Sequence, residues 1–127
     1  MLIHYIIVRR DLPVGVLAAM TTHAAGESAA VYERSYWNEH EGGPNYGHFE
    51  GATAVVLEAK DEKHLRQIAS YLGEAKVDYT TVHESGGEYS GQFMAIGVIP
   101  AEREDIAEKL RDFSLLKNCL DNPVEAT

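Results

Sequence analysis

Residues 2–29, "LIHYIIVRRDLPVGVLAAMTTHAAGESA", decide the fold because a buried strand runs through a tight turn into a helix. Residues 2–9 are rich in β-branched and aromatic types, which favours a strand. Asp11, Pro13 and Gly15 then end the strand by turn chemistry. From about Val16, small and apolar side chains recur at helical spacing, so we expect this helix to approach the sheet closely.

The rest of the chain continues the alternation of strands and helices. Strands are predicted at 52–59, 77–84 and 92–99, and helices at 62–75, capped by Asp61, and at 101–116. Helical crossovers favour parallel strands, whereas the short connection after residue 84 favours an antiparallel pair. The predicted fold is therefore α/β, in the order β-α-β-α-β-β-α, with three α/β/α layers and one mixed four-stranded sheet. Its first and last strands are expected to be central, because they are the most continuously apolar.

Composition limits what the protein can do. With 127 residues, 45% hydrophobic and 24% charged, the chain is expected to form one domain over 1–127, with a frayed tail from about 118. No apolar run approaches the roughly 20 residues of a membrane span, and Cys119 is the only cysteine, so a cytoplasmic location is expected. The net charge of -9 counts against tight RNA binding.

Several short segments together resemble one enzyme family. They are "IIVRRDL", "AAMTTHAA", "AVVLEAKDEKHL", "VHESGG" and "FMAIGVIP", in this order. Over about residues 3–112 the chain resembles the archaeal and eukaryotic type (type 2) of peptidyl-tRNA hydrolase, as a divergent member. The resemblance implies hydrolysis of the ester that joins a stalled peptide to tRNA, with no obligatory metal, and a homodimeric assembly.

The match to the family's functional residues is partial. The first turn keeps Arg9, Asp11, Leu12 and Gly15 but is two residues shorter than in the family. Val16 occupies the position that aligns with the catalytic lysine.

Other family positions have changed as well. The family's glutamine corresponds to Met20, and its histidine to His23. The aspartate of the family's Asp-Ala-Gly turn corresponds to Glu84, the threonine after it has only Glu88 nearby, and the lysine at the start of the second strand is replaced by Ala54.

The resemblance implies a site without the lysine. Ester hydrolysis needs an activated water and a group that stabilises the developing oxyanion. We predict catalytic and substrate-binding roles for eight residues. The catalytic set is His23, Glu84, Arg9 and Asp11, and the substrate-binding set is Arg10, Gly15, Thr22 and Gly86. Either Arg9 or Arg10 is expected to replace the lysine, or activity is weakened or lost.

The same residues also have purely structural interpretations. His23 lies among alanines and threonines, which is typical of a histidine packed in the protein. Glu84 has the sequence context of a solvent-exposed carboxylate in a turn. Arg9 and Asp11 would simply pair with each other. Tyr36 and Trp37 fit a core or dimer contact as well as base stacking.

No cofactor or metal site is predicted. His40, Glu41 and His48 match no standard ligand spacing, and "GGPNYGHFEG" lacks the ending of a phosphate-binding loop. Besides the tRNA esterase, two functions stay open. One is a non-catalytic homodimeric binding domain. The other is a hydrolase for another small substrate, which an acidic protein would bind more readily than RNA.

Overall fold

A computed structural model describes residues 1–39 and 52–117. The elements, in chain order, are β1 (Leu2–Arg9), α1 (Val14–Glu39), β2 (Thr53–Ala59), α2 (Glu62–Glu74), β3 (Tyr79–His83), a 3-10 turn (Gly87–Tyr89), β4 (Phe93–Val98), β5 (Ala101–Glu102) and α3 (Arg103–Leu110). The predicted loop around 38–47 and the predicted frayed tail, with Cys119, lie wholly or mostly outside the described residues. The same holds for His40, Glu41 and His48, and for the side chains of Tyr36 and Trp37.

The sheet is mixed, and its four long strands run in the order β2-β1-β4-β3. β1 pairs with β2 in parallel, whereas β4 is antiparallel to both β1 and β3. β1 and β4 are central and buried almost throughout, as their continuous apolar sequence predicts. The predicted α/β class and the central position of these two strands are confirmed.

Helices cover both faces of the sheet and enclose two apolar clusters. On one face the odd-numbered residues of β1 pack with α2 and α3, around Ile7, Leu65 and Ile106. On the other face Ile6 and Val8 pack with Leu17 and Met20 of α1. No helix in the described ranges is long and apolar enough to cross a membrane.

The sheet has five strands rather than the four predicted from the sequence. Pro100 ends β4 as expected, but residues 101–102 return to extended backbone as β5 and pair with the start of β1. α3 therefore begins two residues later than predicted, and a two-residue strand is too short to show a period in the sequence.

The predicted last helix is also too long at its carboxyl end. α3 ends at Leu110, and the chain then turns back along the outer edge of β2. The amide of Glu58 donates to the Ser114 carbonyl at 3.0 Å, and the amide of Leu116 donates to the Val56 carbonyl at 2.8 Å. These bonds satisfy backbone groups that an open sheet edge leaves unpaired, which a further helical turn would not do.

α1 packs very closely on β4, as its small residues predict. A Cβ added at Gly97 would overlap the Ala24 carbonyl oxygen and lie 2.6 Å from Ser28 Oγ. Beside this contact, the buried His4 places Nε2 2.7 Å from the same Ser28 Oγ. Burial lowers the pKa of His4, so the neutral ring is favoured in the folded protein.

Replacing Gly97 by alanine tests this close approach. We expect Gly97→Ala to lower the free energy of unfolding by about 1–3 kcal/mol, because the helix must move away from the sheet. Gly26→Ala is the matched control, since Gly26 lies on α1 with open space around its Cβ position. The control is expected to be neutral or to stabilise by up to about 1 kcal/mol. Urea unfolding of both variants measures the difference, and an equal effect would contradict the packing.

Candidate active site

One edge of the sheet gathers the candidate residues. β3 and β1 are both antiparallel to β4, so they run in the same direction as β2. The carboxyl ends of β1, β2 and β3 therefore meet at one edge. Open α/β sheets commonly bind ligands there, outside the carboxyl ends of the strands.

Arg9 is the buried centre of this edge. Its guanidinium binds Asp11 through two hydrogen bonds, Nε to Oδ1 at 3.0 Å and Nη2 to Oδ2 at 2.9 Å. Nη1 donates to Gln92 Oε1 at 2.8 Å and to the Phe93 carbonyl at 3.3 Å. The hydrogen bond with Asp11 raises the pKa of Arg9 although burial opposes the charge. Arg9 therefore joins the end of β1, the turn after it and the start of β4.

Arg10 points to the opposite face and has a different environment. Its side chain is 52% exposed, and Nη1 donates to Glu58 Oε2 at 3.1 Å. Glu58 lies on β2 with a side chain only 10% exposed, and its second oxygen, Oε1, is buried and has no hydrogen-bond partner in the part of the chain that the structure describes. Of the two neighbouring arginines, Arg10 is the one whose guanidinium is open to a ligand.

The α1 candidates lie on the exposed side of the helix. His23, Thr22 and Gly15 are all exposed, and the Thr22 hydroxyl donates to the Ala18 carbonyl at 2.9 Å. Within residues 1–39 and 52–117 no hydrogen bond joins His23 or Thr22 to Glu84. The structure therefore places His23 and Thr22 on the surface and does not tie them to the turn after β3.

Val16 and Met20 are engaged in packing. Val16 is half-buried against the apolar cluster beneath α1, and Met20 is only 3% exposed within that cluster. The two positions that the resemblance predicts for the family's lysine and glutamine thus hold side chains that pack α1 on the sheet.

The turn after β3 holds Glu84 in a closed loop. The Glu84 amide donates to the Gln92 carbonyl at 3.0 Å, and the Gly91 amide donates to the Glu84 carbonyl at 2.7 Å. The Glu84 carboxylate accepts a hydrogen bond from the Ser85 amide at 3.0 Å. Gly86 lies in the same loop, exposed and with extended backbone. The loop fixes the Glu84 backbone beside Gln92, which is itself a partner of Arg9.

Sequence reasoning missed three participants at this edge: Glu58, Gln92 and Glu62. Glu62 accepts a hydrogen bond from the Phe93 amide at 3.0 Å and one from Arg66 at 2.8 Å, and these bonds lower the pKa of Glu62. A single acid inside the apolar stretch "AVVLEA" was a signal for Glu58, because a buried carboxylate needs a partner. Gln92 and Glu62 carry no comparable signal.

Metal ligation finds no support in the described part of the chain. Within residues 1–39 and 52–117, no three His, Cys, Asp or Glu side chains come together in a group that could hold a metal ion. The chemistry available at the edge is that of two guanidinium groups, carboxylates and backbone amides.

Comparison with known proteins places this fold in a family. The family model for peptidyl-tRNA hydrolase PTH2 matches residues 2–116. The chain belongs to this family. It is a divergent member, at 28% identity to the mouse protein and 29% to the human protein named "Putative peptidyl-tRNA hydrolase PTRHD1". Each alignment spans 91% of this chain and 83% of the relative.

A solved structure supports the fold alone. The chain is similar to a protein of unknown function, Atu0240, from Agrobacterium tumefaciens strain C58, with a TM-score of 0.58 at 15% identity. The match covers 91% of this chain and 98% of the other.

The buried position of Arg9 predicts a large effect on stability. We expect Arg9→Ala to lower the free energy of unfolding by about 3 kcal/mol, because it leaves Asp11 and Gln92 without their donor. Arg9→Lys is expected to be intermediate, since an ammonium cannot reproduce the two-pronged contact.

A surface ion pair provides the control for this experiment. Arg111 and Glu108 of the α3 region lie 3.2 Å apart and are 67% and 75% exposed. Arg111→Ala should cost less than about 1 kcal/mol. Urea unfolding compares the variants. Similar losses of unfolding free energy for Arg9→Ala and Arg111→Ala would contradict a stabilising role for the buried contacts of Arg9.

Proposed function

We propose that this PTH2-family chain is an esterase that hydrolyses the bond between a peptidyl or aminoacyl group and tRNA. The family match includes the turn after β1, and Arg10 supplies an exposed guanidinium at that turn. The position of this guanidinium is the observation that carries the proposal, because Val16 leaves the site without the family's lysine.

The roles follow from what the reaction needs. Water adds to the ester carbonyl carbon, a base takes one proton from the water, and the ester oxygen leaves on the tRNA with a proton. Arg10 stabilises the negative charge on the carbonyl oxygen or on a substrate phosphate. Glu84 and His23 are the candidates for accepting and returning the proton. Arg9 and Asp11 hold the turn that carries Arg10.

The start of α1 supplies a second group for an anion. The first turn of α1, where Gly15 lies, has no acidic side chain to oppose a bound anion. Backbone amides at a helix start favour negative charge, so Gly15 would bind a phosphate or oxyanion there. Thr22 and Gly86 stay in the proposal as substrate contacts from α1 and from the turn after β3.

The packing of Val16 favours a second candidate function. Because Val16 packs against the apolar cluster, α1 has no cation at the position expected for the family's lysine. The net charge of -9 also opposes the binding of a polyanion such as tRNA. The alternative is a homodimeric binding domain that has kept the fold without catalysis. The proposed partner is tRNA in the first case, and no cofactor takes part in either. A cytoplasmic location suits both.

Release of peptide from peptidyl-tRNA by the purified protein tests the proposal, with an authentic family member as positive control. Arg10→Ala is expected to lower kcat/KM by about 10²- to 10³-fold, the usual effect of removing an oxyanion donor. His23→Ala and Glu84→Gln should each lower turnover as well. Val16→Lys should raise turnover if that position faces the substrate.

The control variants for this assay are Arg111→Ala and Glu108→Gln, which change the exposed pair at α3. They should leave turnover unchanged. Activity at family rates that survives all of the Arg10, His23 and Glu84 changes would show that the site is misplaced. A wild type without activity that Val16→Lys fails to restore would favour the binding domain.

We also propose that the protein is a homodimer. The family resemblance supports this, and within the described residues β3 has no strand on its outer side. Sedimentation equilibrium at concentrations on the order of tens of micromolar should give twice the chain mass of 14.0 kDa. A species of single-chain mass at that concentration would contradict the proposal.

A further inference from the structure

Glu58 is the unusual residue of the candidate edge. It is the one acid in the seven-residue strand β2, which is otherwise apolar apart from its first threonine, and the residue is only 9% exposed. One carboxylate oxygen bonds to Arg10, and the other is buried with no hydrogen-bond partner among the described residues. Burial of a carboxylate with one oxygen unsatisfied costs stability, and an apolar side chain of similar size would avoid that cost.

The Glu58 side chain takes no part in the hydrogen bonds that pair the outer side of β2 with the returning chain. The returning segment at 114–116 is bound through backbone groups, the Glu58 amide to the Ser114 carbonyl and the Leu116 amide to the Val56 carbonyl. Any residue at position 58 would make the same backbone bond. The carboxylate must therefore be explained by what it binds, and the group it binds is the Arg10 guanidinium.

Within residues 1–39 and 52–117, Arg10 in turn keeps most of its side-chain donors available. A guanidinium has five N–H donors, and the contact with Glu58 uses one of them. The backbone of Arg10 is also fixed, because its amide donates to the Ala59 carbonyl at 2.9 Å. The Arg10 side chain therefore starts from a fixed backbone position, is bonded to Glu58 through Nη1, and is about half-exposed to solvent.

We infer that Glu58 is a positioning residue for Arg10: its buried carboxylate fixes the guanidinium at the carboxyl ends of β1 and β2, where the guanidinium binds an anionic oxygen of the substrate. The inference rests on the proposed function and assigns that function its cation. Without Glu58, the long Arg10 side chain would sample several rotamers, and each binding event would have to order it again.

The anionic oxygen has two possible sources in a tRNA ester, the carbonyl oxygen of the reacting ester and a backbone phosphate. Kinetics separate them. If Arg10 contacts the carbonyl oxygen, Arg10→Ala and Glu58→Leu lower kcat while the dissociation constant of deacylated tRNA stays the same. If Arg10 contacts a phosphate, both variants raise KM and that dissociation constant, and the effect weakens at higher salt.

A substitution series at Glu58 tests positioning against a structural role. We expect kcat/KM to fall in the order Glu58, Glu58→Gln, Glu58→Leu, with a loss of roughly tenfold to a hundredfold for leucine. Over the same series thermal stability should stay equal or rise, because leucine removes the unsatisfied buried oxygen. Activity that falls only in proportion to a loss of stability would overturn the inference.

The double variant Arg10→Ala/Glu58→Leu provides the second test. If Glu58 acts through Arg10, Glu58→Leu has no further effect on kcat/KM once Arg10 is alanine. The same change should recover stability that Arg10→Ala loses by leaving the Glu58 carboxylate unpaired. Full and independent loss of activity from each change, so that the two effects multiply, would overturn the inference.

A binding measurement keeps the inference separate from the proposed function. If wild type releases no peptide from peptidyl-tRNA, the proposed function fails, and titration with inorganic phosphate still tests Arg10. The Arg10 Nε–H resonance should shift with phosphate in wild type and shift less in Glu58→Leu, while the Arg111 resonance behaves alike in both. For a wild type without esterase activity, an Arg10 response that is absent, or unchanged by Glu58→Leu, would overturn the inference.

Discussion

The arrangement of the candidate edge depends on the buried guanidinium of Arg9. This group is held by Asp11 in the turn and by Gln92 and the Phe93 carbonyl at the start of β4. Two chain segments that are far apart in sequence, the turn after β1 and the start of β4, therefore meet at one planar group, whose fork geometry fixes their relative positions. The turn begins at Arg9, so the contacts of Arg9 set both the direction of Arg10 and the start of α1.

Much of the fold was predictable because its signals are local. The apolar continuity of β1 and β4 showed which strands are central, and Asp61 accepts the His64 amide hydrogen bond that its helix-capping position predicts. β5 and the return of the chain along β2 were not predictable. A two-residue strand has no period. Phe113 and Leu116 follow Leu110 at the three-residue spacing of a helix stripe, although Leu116 pairs with the edge of β2.

The candidate site was predictable in position but not in the division of roles. The resemblance located the turn, and strand alternation implies that Arg9 and Arg10 point to opposite faces. Each arginine has its own hydrogen-bond partners: Asp11 and Gln92 for the buried Arg9, and Glu58 for the exposed Arg10. Two neighbouring residues of the same type carry no local sign of that choice, so only the packed structure assigns it.

The exposed guanidinium beside these strand ends belongs to Arg10, the first residue after β1, and not to α1. The resemblance implies that the family's lysine would fall at Val16, and the Val16 side chain packs against the apolar cluster beneath α1. Arg10 directly follows β1, and its guanidinium binds the carboxylate of Glu58 on the neighbouring strand β2. Because its amide is bonded to Ala59 and its guanidinium to Glu58, Arg10 has less conformational freedom than a turn residue without such contacts.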